Sequence, residues 1–151
     1  IFFFIKSLDE TSVRGSSFYI TVLAYLTDIA QSLEFISKKS YKHVNNNHKP
    51  LRYNQITDLR EIDDLLENFL KEIEEIFANR KLDQIQKIVE HKEEVLAKLS
   101  EKIEKQVKRT RTEESSPKNT TLYFNLLLET KDLVNAVMNL ISEYNSSYKK
   151  V

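Results

Sequence analysis

One glycine and two prolines in 151 residues leave this chain very little to turn with. Sheets and loop-rich folds need turn residues every few positions, so a sequence this poor in them is committed to long helices. The breaks fall at Asn45-Asn-Asn-His-Lys-Pro50, at Asn79-Arg80-Lys81, and at Arg109 to Tyr123, where Ser116-Pro117 stands in the middle. A serine hydroxyl caps a free backbone N–H, and proline at the first helical position loses no bond, so Ser116-Pro117 reads as a helix start.

Between the breaks the apolar residues keep helical spacing. Tyr19, Val22, Leu26, Ile29, Leu33 and Ile36 predict a first helix running from Gly15-Ser16-Ser17 to about Val44. Leu59, Ile62, Leu66, Phe69, Ile73 and Ile76 mark a second from about Asn54. Asp83 with Gln86 suggests a capping box for a third, carrying Ile85, Val89, Leu96, Leu99, Ile103 and Val107. The fourth begins at Pro117 and carries Tyr123, Leu126, Leu133, Val137, Leu140 and Tyr144. Short connections make consecutive helices antiparallel neighbours. The expected fold is therefore all-α, an up-down-up-down four-helix bundle over residues 16–146. An apolar arm, 1–15, precedes it, and a frayed end, 147–151, follows.

Composition narrows the chemistry. The 23 basic and 23 acidic side chains balance, so the chain as a whole does not suit a polyanion. With no cysteine it has no disulfide framework and no thiol nucleophile. No glycine-rich loop or nucleophile elbow occurs, so neither an enzyme nor a resident cofactor is expected, and basic residues do not line a face as nucleic-acid binding requires. The apolar Ile1-Phe-Phe-Phe-Ile5 is far short of the ~20 residues that cross a bilayer; it reads as an arm packed on the bundle.

Antiparallel topology carries the first and third connections to the same end of the bundle. There each apolar stripe gives way to polar residues: Ser40 and His43, Gln55, Gln106, Asn119. Around them stand Lys42, His48, Lys49, Arg52, Arg109, Arg111 and Lys118, while the other end holds Glu72, Glu74, Glu75 and Asp83. A neutral chain thereby gains a basic pole. Lys118 is out of place in the first turn of a helix, where the dipole favours a carboxylate, and helix N-termini hold phosphate-like anions. The candidate anion-binding or docking residues are His43, Asn46, His48, Lys49, Arg109, Arg111, Lys118 and Asn119. Asp28, Glu129 and Asp132 fall at comparable depth on neighbouring helices, but no histidine has the Glu-x-x-His partner of a di-iron bundle, and no metal is expected. His91 reads as a surface residue.

Ser32-Leu-Glu-Phe-Ile36, Tyr41-x-His-x-Asn-Asn-Asn-His-Lys49, Gln106-Val-x-Arg109, Glu114-Ser-Ser-Pro-Lys-Asn-Thr-Thr-Leu-Tyr123 and Leu128-Glu-Thr-Lys-Asp-Leu133 together resemble the PhoU-like domain of PiT-type inorganic phosphate transporters of Bacteroidetes-like bacteria. The likeness runs from about Lys6 to Tyr144. It implies a soluble helical bundle on the cytoplasmic side of the inner membrane, a regulatory role in phosphate uptake, and the membrane part of its own transporter as partner; inorganic phosphate and a second copy are further partners to be considered. It also implies that Ile1 to Ile5 leave a transmembrane region. One departure stands out. Where metal-binding relatives show Glu/Asp-x-x-x-Asp, Asp28 is followed by Ser32 and Glu129 by Leu133. The rival reading is a ligand-free helical interaction or oligomerisation module.

Overall fold

A computed structural model describes the backbone of residues 10–112 and 116–148. Residues 1–9 of the expected arm 1–15, residues 113–115 and the last three residues lie outside the described part. Four helices follow one another: α1 (Glu10–Asn45), α2 (Tyr53–Ala78), α3 (Ile85–Thr112) and α4 (Pro117–Tyr148), with a 3-10 turn, Leu82–Gln84, before α3. No strand occurs among the described residues. The architecture is an all-α four-helix bundle.

Two boundaries move. Helix α1 runs straight through Gly15 rather than starting after it. A mid-helix glycine costs about 1 kcal/mol against alanine, which a 36-residue helix absorbs. Helix α4 continues to Tyr148, past the expected fraying point.

Both described turns after helices close in the same way. His48 N–H reaches His43 C=O at 3.4 Å, and Asn47 N–H reaches Val44 C=O at 3.1 Å. After α2, Lys81 N–H reaches Ile76 C=O at 2.9 Å and Arg80 N–H reaches Phe77 C=O at 3.2 Å. These are paired Schellman closures, whose pivot residue must take a left-handed backbone. The pivots are Asn47, φ 51°, and Arg80, φ 54°. Asparagine tolerates that region better than most residues; arginine does not. The asparagine run thus ends α1 by supplying a pivot.

Packing departs from four equivalent neighbours. Helix α4 lies between α1 and α3, and α3 between α4 and α2, while α1 and α2 barely meet. The core joins α2, α3 and α4 through Phe69, Ile88, Val95, Leu99, Tyr123, Leu127 and Val134. Helix α1 contributes little to it. Its predicted stripe splits: Val22, Ile29 and Ile36 are half-buried, whereas Tyr19, Leu26 and Leu33 are exposed. The half-buried line is Phe18, Val22, Tyr25, Ile29 and Ile36, with Ser32 its most buried member. A helix packed against one neighbour buries a narrow seam, so the rest of its apolar face stays open.

Candidate functional site

The two connections expected at one end do lie together, because Asn119 on α4 donates from Nδ2 to the carbonyl of Pro50 at 2.8 Å. Gln55, in the first turn of α2, accepts the backbone N–H of Arg52 through Oε1 at 3.1 Å. It thereby caps that helix from within. The proposed capping pair of Asp83 and Gln86 is replaced by the 3-10 turn.

Beneath this end lies a buried ionic layer. Asp58, 3% exposed, projects from α2 one turn below Gln55. Arg109 Nη1 on α3 donates to its Oδ2 at 2.7 Å, and Lys102 Nζ lies 3.1 Å from its Oδ1. The Tyr123 hydroxyl donates to Oδ2 at 3.2 Å from α4, and Lys105 reaches Oδ1 from the rim at 3.4 Å. Lys102, 4% exposed, also donates to Glu61. Spacing explains the convergence: Lys102, Lys105, Arg109 step along α3 by three and four, and so share a face.

These contacts set the charge states. Burial by itself would raise the carboxyl of Asp58, but hydrogen bonds and charges from Arg109 and Lys102 outweigh it and hold the group below the ordinary carboxylate range. Burial pulls the Lys102 ammonium down, and Glu61 and Asp58 more than restore it, leaving it above its usual value. Burial, helped by the Asp58 charge, drives the Tyr123 phenol well up. At neutral pH Asp58 is charged, Lys102 is charged and Tyr123 keeps its proton.

Three neutral amides form the next layer outward. Gln55, Gln106 and Asn119 are each at least 97% buried, and one polar atom of each makes no bond within the protein: Gln55 Nε2, Gln106 Oε1 and Asn119 Oδ1. Gln106 is oriented by Thr110, whose hydroxyl donates to the Gln106 carbonyl and accepts from Nε2 at 3.4 Å. The uncommitted atoms are therefore one donor and two acceptors. That mixture does not suit an anion, which needs donors.

The candidate residues now separate. Arg109 is not an open cation, because Asp58 has neutralised it. Asn119 is buried with its amide nitrogen committed to Pro50 and only an acceptor oxygen left over, so it belongs to the architecture. His43 and His48 are the residues whose backbones close the α1 turn, and their rings lie 5.0 Å apart, the side-chain contact that accompanies such closures. His43 Nε2 sits 3.2 Å from the Lys49 carbonyl, which fixes the proton on that nitrogen. Asn46 is exposed at the cap of the same turn, its N–H on the Lys42 carbonyl. Lys49, Arg111 and Lys118 remain as exposed cations at this end. Asp58 and Lys102 were not anticipated. A signal existed in Asp58, which sits on the apolar side of α2 between Gln55 and Ile62.

Two further groups of residues have definite neighbours. Asp28, Glu129 and Asp132 line one crevice of about 290 Å³ between α1 and α4, beside Ser32 and Asn135. Among the described residues no set of three ligand-type side chains is arranged to hold a metal ion. His91 is not a free surface residue. It packs edge-on against Phe69, centroids 5.7 Å apart, and its Nδ1 bonds Glu72 at 2.8 Å.

Among the described residues no helix is long and apolar enough to cross a membrane. In comparisons with known proteins, the chain matches no family model, no curated protein and no solved structure.

Proposed function

We propose that the chain is a PhoU-like regulatory domain of an inorganic phosphate transporter, acting at the cytoplasmic face of the inner membrane through its basic pole. The observation that carries this reading is the Asn119 bond to Pro50, which fastens the asparagine turn to the start of α4. Lys49 and Lys118 are the chain neighbours of those two bonded residues, which favours a reading in which both serve the start of α4, where a helix N-terminus attracts a phosphate-like oxyanion or an acidic surface of the transporter. Regulation then requires only that the pole bind one transport state better than another.

The test is a denaturant melt with inorganic phosphate against ionic-strength-matched chloride. A specific ligand at a hundred times its Kd adds about 2.7 kcal/mol, and Lys118→Ala should abolish that gain while leaving the unliganded midpoint unchanged. Equal responses to both salts would remove the anion. The rival, a ligand-free interaction module, draws support from the exposed apolar residues of α1 and the open side between α1 and α2.

A further inference from the structure

Helix α2 carries a second stripe, turned away from the core that Ile62, Phe69 and Ile76 enter. Tyr53, Ile56, Arg60, Asp63, Glu67 and Leu70 recur at alternating steps of three and four, which holds them on one face. The apolar ends are open: Tyr53 is 84% exposed and Leu70 40%. Arg60 and Asp63 at the middle are exposed too, and neither forms an ion pair among the described residues. Glu67 is already held by Lys71 at 2.6 Å.

This stripe borders the gap left where α1 and α2 fail to meet. The gap is a groove of about 460 Å³ with Leu33 and Ile36 on one wall, Leu59 and Leu66 on the other, and Leu126 and Leu133 as its floor. Arg60 and Asp63 stand on its rim. An apolar groove edged by charge is what a helix partner covers.

We propose that a second copy of this chain covers it, the two α2 helices lying antiparallel about a twofold axis between Arg60 and Asp63. The stripe is its own complement when reversed. The register that brings Arg60 to the partner's Asp63 also brings Tyr53 to the partner's Leu70, and Ile56 to the methylenes of the partner's Glu67. Twofold symmetry makes each of these contacts twice. A foreign helix would have to reproduce the same order of charges and apolar ends; a second copy has it by construction. The apolar ends and the groove supply affinity, and the central ion pairs fix register, since rim charges govern specificity more than strength. The inference depends on neither reading of the pole, and phosphate binding and dimerisation are measured separately.

Sedimentation and light scattering across a dilution series test it. The wild type should show dimer mass at high concentration and dissociate on dilution. Arg60→Asp and Asp63→Arg each set like charges together twice and should weaken association roughly tenfold or more. Their equimolar mixture restores both ion pairs and should regain dimer mass, as should the double exchange in one chain. Circular dichroism checks that each exposed-site variant keeps its helices. A wild type that stays monomeric at the highest concentration would leave the groove to another helix and end the proposal. So would a dimer indifferent to both reversals, or a mixture that fails to associate.

Discussion

Two layers of the same three helices, a few turns apart, are held together by opposite means. At the waist Phe69, Ile88, Val95, Leu127 and Val134 are wholly buried and purely apolar. Nearer the head the same helices meet through Asp58, Lys102, Arg109 and the Tyr123 hydroxyl. Burial of apolar surface is non-directional, so the waist tolerates small rotations of each helix. An ion pair that has lost its water demands its partner at one distance, so the ionic layer admits one rotation and one register. Whether it also adds net stability is a different question, because buried pairs seldom beat well-packed apolar replacements.

The sharpest way to break this contrast is to remove one member from each layer. Phe69→Ala should cost about 3–5 kcal/mol through cavity formation. Asp58→Ala should cost a similar ~3–5 kcal/mol for another reason, since it strands Arg109 without its counter-charge and leaves the buried Lys102 only Glu61. Urea unfolding measures both, and an Asp58→Ala cost below about 1 kcal/mol would show that the layer is hydrated and specifies nothing. A smaller loss, about 1.5 kcal/mol, is expected for Tyr123→Phe, which deletes one hydrogen bond to a charged acceptor and keeps the ring. The smallest effect in neutral buffer is the pH response. Asp58 is held below its unfolded value, so its stabilisation is present above ~3.9 and fades as the pH falls through the lower folded pKa. Acid titration of Asp58→Asn should lack that component, whereas Phe69→Ala should retain it.

Much of this was legible from the residues. Scarcity of glycine and proline and the alternation of threes and fours gave four helices, and Ser116-Pro117 marked where α4 begins. Short connections put the asparagine turn and the serine-proline turn at one end. Other features were not legible. On α1 two adjacent apolar stripes have the same spacing, and only the position of α4 decides that Val22 and Ile29 turn inward while Leu26 and Leu33 stay out. Arg109 looked like one more cation at the end of a helix, and its neutralisation needed the knowledge that Asp58, 51 residues earlier, faces it. The histidines looked like ligands because their role in closing a turn belongs to the backbone.

Sequence by itself determined the local chemistry: how many helices form, where the breaks between them fall, and which end gathers cations. It could do so because capping, spacing and dipole effects act within a few residues. Tertiary structure alone decided which charges are spent on one another and which apolar face is left uncovered. Those outcomes depend on how far each helix is rotated about its own axis, and that angle is set by all its neighbours at once.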